Sequence, residues 1–242
     1  MNYKIYNVDV FGKAVLDYQL GNYDEDILTF SSLDEQDSIP LPYLFRGFDT
    51  MPPLEQKALG LCRGTILDIG CGAGSHSLYL QEKGMAVTAL DSSKGAIKTC
   101  RLRGIKTTVC KDVYAYNEAK FDTLLLLMNG IGLAGKITNL NRFFGHLKSL
   151  LKPDGQILVD SSDIIYMFQQ DEDGGYWIPD TDKYYGEVDF VITYKGLKSN
   201  SFPWLYLDYN TFKKEALNNN LTCEIVSLGG HYDYLAKLLL KG

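Results

Sequence analysis

Residues 67–74 read Leu67-Asp68-Ile69-Gly70-Cys71-Gly72-Ala73-Gly74. A short apolar run ends in an acid, and three glycines follow at alternate positions. A backbone that turns tightly from a strand into a helix, and lets another molecule approach it, needs residues without a Cβ. The helix that follows offers unpaired N–H groups and the positive end of its dipole to whatever sits on the loop. A second acid, Asp91, closes the next apolar run about twenty residues on. The pair asks for a small ligand with two ends: one against the glycine backbone, the other a ribose on the acid.

The chain around this loop alternates strand and helix. Residues 65–69 read as a buried strand and 73–83 as a helix ended by Gly84. A strand follows at 86–90, then a helix from Ser93 to about Arg103, ended by Gly104, and a β-branched strand at 106–110. Residues 121–128 contain four consecutive leucines, and their place in the alternation makes them a central strand buried on both faces. Leu140, Phe143, Phe144, Leu147, Leu150 and Leu151 form one apolar helical stripe. Pro153-Asp154-Gly155 then reads as a turn and 157–159 as a fifth strand.

Repeated strand–helix–strand units predict a doubly wound α/β fold, a mostly parallel sheet with its ligand at the carboxyl ends of the strands. Further on, 188–194 alternates as a strand and 209–219 reads as a helix. Residues 222–228 and 232–239 read as an antiparallel hairpin that closes the sheet edge. The whole chain, 1–242, is expected to be one domain. Two segments stand outside the alternation. Residues 1–60 carry short helical patterns and a proline-rich stretch, and are expected to form a cap. Residues 161–208 are expected to form an insertion or lid with extra strands, opening on a polar connection at 161–187.

Charge narrows the partners. Seven acids and no base lie between Lys13 and Arg46, and eight acids and no base lie between Lys152 and Lys183. These runs would repel a polyanion, so nucleic acid is disfavoured. The opposing basic stretch of Lys94, Lys98, Arg101, Arg103, Lys106 and Lys111 reads as a solvated helix surface. The N-terminus has no signal-peptide core and no apolar run approaches a membrane span, so no membrane partner is expected. Five cysteines without a Cys-x-x-Cys pair suit reduced thiols and a cytoplasmic protein. No metal site is expected.

Three acids, Asp68, Asp91 and Asp112, each follow apolar strand residues. Taken singly, each could simply cap the following helix. Together with the glycine loop they resemble the cofactor site of a class I S-adenosylmethionine-dependent methyltransferase, over about residues 60–160. The resemblance implies a Rossmann-like methyltransferase fold with a seven-stranded sheet, and S-adenosyl-L-methionine as cofactor. It implies that Asp68, Gly70, Cys71, Gly72 and Gly74 line the methionine moiety. Asp91, with Ser92, would accept the ribose hydroxyls, and Asp112 with Val113 would read the adenine. Asn129, in Asn129-Gly130, would stand beside the transferring methyl as the catalytic candidate, although Asn-Gly is also a plain strand-ending turn. A nicotinamide dinucleotide fits less well: Ser75 stands where its pattern wants glycine, and Asp68 would repel a pyrophosphate. The amide and adenine N-methyltransferase motif is absent, since the chain reads Asn129-Gly130-Ile131-Gly132.

Methyl transfer to a small-molecule acceptor is the resulting expectation. Its alternatives are a non-catalytic cofactor-binding regulatory protein and, behind that, an RNA methyltransferase. Aromatics crowd the irregular segments beside acids, among them Tyr43, Phe45, Tyr176, Trp177, Tyr184 and Trp204. They suit a neutral or cationic acceptor as well as plain core packing. Structural roles are expected for His76, His146 and His231, with His76 in the first turn after the loop and His146 on a solvated face. Arg46 is either a buried ion-pair partner or a handle for a substrate carboxylate.

Overall fold

The computed structural model describes residues 8–178 and 182–241. Residues 1–7 of the expected cap and 179–181 of the expected lid, Asp180 among them, therefore lie outside the described residues. The chain enters through helix α1 (Val10–Gln19), a hairpin of β1 (Ile27–Ser31) and β2 (Gln36–Ile39), the short helix α2 (Leu41–Leu44) and helix α3 (Pro53–Leu61). The alternation follows as β3 (Thr65–Ile69), α4 (Ser75–Glu82), β4 (Ala86–Asp91), α5 (Lys94–Leu102), β5 (Thr108–Cys110), β6 (Phe121–Leu126), α6 (Leu140–Ser149) and β7 (Leu151–Ser162). The chain ends with β8 (Glu187–Tyr194), β9 (Leu197–Lys198), β10 (Phe202–Leu205), α7 (Tyr209–Asn218), β11 (Leu221–Leu228) and β12 (Asp233–Leu240).

The main sheet runs β11-β12-β7-β6-β3-β4-β5. The five strands β3 to β7 pair in parallel, with Leu67 opposite Thr88 on one side and Leu124 on the other. Strand β12 inserts antiparallel between β7 and β11, with Ala236 opposite Val159. The hairpin thus closes the edge as expected, with its second strand innermost. Because successive strand residues face opposite sides, Leu67, Ile69, Leu124 and Leu126 face α6 and α7. Ile66, Leu125 and Leu158 face α3 and α4. The stripe of α6 buries Leu140, Phe143, Phe144 and Leu147, each at 1% exposure or less, and Phe144 meets Phe212 of α7 edge-on. Full burial is worth about 1.5–3 kcal/mol for each such side chain, which outweighs what propensity alone gives a ten-residue helix.

Two local expectations are corrected. Leu150 and Leu151 leave the helix, and Pro153–Gly155 is not a free turn but a bulge inside β7. Phe121 pairs with Leu151 and Thr123 with Gln156, so the extra residues loop out, and Asp154 takes a positive φ of 60°. The N-terminal segment is not only helical. Its hairpin joins β8, β9 and β10 in a second, antiparallel sheet of order β10-β8-β1-β2, with β9 paired to β8. This sheet reaches the end of β6 through Trp204: a Cβ at Gly132 would overlap its indole ring. No described helix is long and apolar enough to cross a membrane.

Candidate functional site

The carboxyl ends of β3, β4, β6 and β7 form one edge of the main sheet, and three features of the chain converge there. First is the glycine loop. Gly70, Gly72 and Gly74 all have positive φ, at 73°, 54° and 84°. They serve different ends. At Gly74 an added Cβ would overlap Ile105 and lie 2.8 Å from Cys100 Sγ, so packing of α5 demands that glycine. At Gly70 and Gly72 it would meet only the Leu133 side chain at 3.4 Å and the Phe11 ring at 3.5 Å, so these two keep an open backbone face. Cys71 is buried, its Sγ 3.8 Å from that of Cys100, and the bond to that thiol together with burial pushes its pKa up.

The acids follow. Asp68 is 2% exposed and accepts from Ser77 Oγ at 2.6 Å. Burial pushes its pKa up, against the opposing pull of His76 and Ser77. Asp91 bridges two elements: Oδ2 accepts from Gly72 N at 2.9 Å and Oδ1 from Ser93 N at 2.8 Å. Burial raises its pKa too, and those two N–H groups oppose the rise. Each oxygen has a lone pair left, which is what a pair of vicinal hydroxyls requires. Ser92 is exposed at the same turn.

Asp112 lies at the end of β5 on the same edge. It accepts from Tyr114 N at 2.8 Å through Oδ1 and is otherwise exposed, so the capping role and an open Oδ2 coexist. Val113 is buried beside it, and its carbonyl lies 2.6 Å from His146 Nε2. His146 is therefore half-buried and bonded rather than simply solvated, contrary to expectation; it braces the Asp112–Val113 turn. His231, in the closing turn, is exposed.

The third feature is the end of β6. Met128 and Asn129 both have positive φ, at 66° and 58°, a conformation unusual for two adjacent non-glycine residues. Asp160 of β7 holds it: Oδ2 accepts from Met128 N at 3.0 Å and Oδ1 from Gly130 N at 2.8 Å. Burial pushes the Asp160 carboxyl up to about 6 despite these bonds. Asn129 ties this turn to the second sheet, donating from Nδ2 to Leu205 O at 3.0 Å and accepting from Ser161 Oγ at 3.2 Å.

Asp160 and Glu55 at this edge escaped the sequence reading, as did the grouping of Arg46 and His76 around Glu55. Asp160 had a usable signal, an acid directly after an apolar strand, the same pattern that marked Asp68 and Asp91. The cluster of Arg46, Glu55 and His76 had none, because its members are brought together from separate segments. Arg46, alone in its acidic stretch, is a buried ion-pair partner: its Nη2 bonds both oxygens of Glu55 and Nη1 bonds Tyr43 O. Its guanidinium also stacks over the Tyr43 ring at 3.9 Å. His76 Nε2 lies 2.8 Å from Glu55 Oε2. Burial pushes Glu55 up, but His76 and Arg46 more than offset this and hold it below the usual carboxylate range.

Helix α1 also approaches the site. Asp9, its N-cap, accepts from Ser93 Oγ at 2.9 Å and Gly95 N at 3.0 Å, and Phe11 lies over Gly72. Of the expected basic face, Lys94, Lys98 and Arg101 are exposed, whereas Arg103 turns inward to Ala73 O at 2.7 Å.

The open backbone at Gly70 and Gly72, next to a buried carboxylate and one bond from the bridging Asp91, fits a ligand with an ammonium at one end and a ribose at the other. Comparison with known proteins gives the same cofactor. Residues 67–159 match the family model described as a methyltransferase domain. A S-adenosylmethionine-dependent methyltransferase of Bacteroides fragilis, solved in complex with S-adenosyl-L-homocysteine, is 42% identical. That match covers 97% of this chain and 95% of the other, with a TM-score of 0.90. The ubiquinone biosynthesis O-methyltransferase of Xylella fastidiosa is 27% identical over 113 residues, 43% of this chain and 44% of that protein. The chain thus matches less than half the length of that curated relative. A sugar N-methyltransferase from Streptoalloteichus, 14% identical with a TM-score of 0.55 over 78% of this chain and 85% of its own, shares the fold alone.

Proposed function

Since the chain belongs to the S-adenosylmethionine-dependent methyltransferases, we propose that it transfers a methyl group from S-adenosyl-L-methionine to a small-molecule acceptor. The acceptor would sit at the strand-end edge, under the second sheet. The observation that carries this is Asp91, which joins the glycine loop to the start of α5 and keeps lone pairs for a ribose. Asp68, Gly70, Cys71, Gly72 and Gly74 take the methionine end. Asp91 and Ser92 take the ribose, and Asp112 with Val113 the adenine. Asn129, whose amide is engaged at both ends, orients the turn beside the acceptor. The cofactor supplies an electrophilic sulfonium methyl, and the sulfur keeps the electron pair of the bond that breaks. The protein aligns the nucleophile and excludes water.

The acceptor is neutral or cationic in this reading. Asp68, Glu55 and Asp160 are buried near the site, and the Arg46 guanidinium is taken up by its pair with Glu55. Residues 1–60 act as the cap and 161–208 as the lid, and the cytoplasm suits five free thiols. The binding-only and RNA alternatives draw no support from the edge: the basic residues of α5 lie on its exposed face. The test is calorimetric titration of S-adenosylhomocysteine, followed by a screen of phenols, amines and amino sugars with isotope-labelled cofactor. Micromolar binding and a labelled product are expected. A folded protein that does not bind S-adenosylhomocysteine would refute the proposal.

A further inference from the structure

The polar side chains at the strand-end edge are mostly committed elsewhere. Asp160 takes one backbone N–H on each oxygen. Asn129 uses both ends of its amide. Asp68 is bound to Ser77, and Asp91 to the glycine loop with its remaining lone pairs assigned to the ribose. His76 is arranged differently. It stands in the first turn after the glycine loop, with Glu55 reaching it from α3 and with Asp68 on β3 and Asp160 on β7 within electrostatic range. Both aspartates share the sheet face of Ile66 and Leu158, the one that α3 and α4 cover.

The ring's tautomer follows from its partner. Glu55 is paired with the Arg46 guanidinium through both oxygens, so it is ionised and can only accept. Nε2 therefore carries the hydrogen it gives to Glu55, and Nδ1 is the acceptor of the neutral ring. Among the described residues Nδ1 has no hydrogen-bond partner. Nor is it enclosed, since the fully buried side-chain atoms left unpartnered are Arg46 Nε and Thr99 Oγ1. His76, only 8% exposed, thus keeps Nδ1 without a hydrogen-bond partner, with a carboxylate fixing its orientation. A base oriented by a third group is how catalytic imidazoles are built.

We propose that His76 Nδ1 takes the proton of the methyl acceptor, with Glu55 and Arg46 as positioning residues that hold the ring in the required tautomer. The inference rests on the methyltransferase reading above. The acceptor heteroatom loses its proton to Nδ1 as it gains the methyl, and it keeps the electron pair of the bond to hydrogen. The imidazolium that forms is met by Glu55. This also assigns the acceptor a class: a hydroxyl or ammonium group that must shed a proton, rather than a thioether or tertiary amine.

The test needs no knowledge of the acceptor. Sinefungin carries an amine on carbon where S-adenosylmethionine carries its methyl on sulfur, and S-adenosylhomocysteine carries neither. Calorimetry would compare both ligands on the full chain, as wild type, His76→Gln and His76→Phe. Glutamine keeps a donor for Glu55 but has nothing in place of Nδ1. In both variants sinefungin is expected to weaken about ten-fold, the loss of one charge-assisted hydrogen bond, while S-adenosylhomocysteine stays within about two-fold. An unchanged ratio of the two affinities, or equal losses for both ligands, would overturn the proposal and leave His76 as a brace. If His76→Phe does not fold, His76→Gln decides. Failure of the wild type to bind either ligand would instead sink the cofactor reading, and this proposal with it.

Discussion

The strand-end edge is built in two ways. Its proposed cofactor half, the glycine loop with Asp91, comes from two consecutive strand–helix units, and its chemistry is mostly backbone: open Cα atoms, helix N-termini and a carboxylate bonded to two N–H groups. Its other half gathers Arg46 from a short coil after α2, Glu55 from α3, His76 from α4 and Asp160 from β7, and its chemistry is buried charge. The shape of the first half is local, set by the positive-φ glycines of the loop. The second depends on Glu55 pairing with Arg46 and His76, and on the N–H groups that hold Asp160.

That contrast can be broken by single substitutions. The largest effect is expected from Glu55→Ala, which strands the Arg46 guanidinium in a buried site. Removing one partner of such a pair costs about 3–5 kcal/mol, and denaturant unfolding should register it. A loss below about 1 kcal/mol, the value of a surface pair, would show that the cluster is solvated. In the cofactor half, Asp91→Ala should leave stability nearly intact but weaken S-adenosylhomocysteine by about 100-fold, as two charge-assisted bonds are lost. Retained affinity in a titration would move the ribose site elsewhere.

Asp160 sharpens the comparison through pH. Its folded pKa, about 6, lies above the ordinary 3.8. Its contribution is therefore fully present below the ordinary value and is lost as pH rises through 6. Relative to Asp160→Asn, the wild type should gain on the order of 2–3 kcal/mol on going from pH 7.5 to pH 4. Parallel stability curves for the two proteins would mean that the carboxylate is not buried as described. The smallest effect concerns the thiols. Cys110 is exposed, whereas Cys62, Cys71 and Cys100 are buried and burial pushes Cys62 up to about 12. Iodoacetamide should label Cys110 first in the folded protein, as mass spectrometry would read; early labelling of Cys71 would show that the glycine loop opens.

The same division explains what could be read from the chain. The elements of the main sheet were legible because each has a local cause: apolar runs for β3, β4 and β6, glycines after α4 and α5, and the stripe that buries α6. Asp68, Asp91 and Asp112 were legible because each acid comes after apolar strand residues, at or near the strand's end. The bulge at Pro153–Gly155 was misread as a turn because a turn and a bulge ask the same of their residues, and only pairing with Phe121 and Thr123 separates them. Strands β1 and β2 were missed because Gln36–Ile39 is largely exposed and carries no alternation, so pairing with β8 across more than a hundred residues organises that hairpin. His146 was placed in solvent because helical periodicity cannot show that Val113 waits opposite it.

By itself, the sequence determined the α/β alternation, the loop at Gly70–Gly74 and the acids beside it, since backbone conformation and strand-end position are set within a few residues. Only the tertiary structure decided that Trp204 and Leu205 would close over Gly132 and Asn129, and that Arg46, Glu55, His76 and Asp160 would meet. A buried charge is tolerated where opposite charges and N–H groups surround it, and those come from segments that share nothing in the sequence except the place where they fold together.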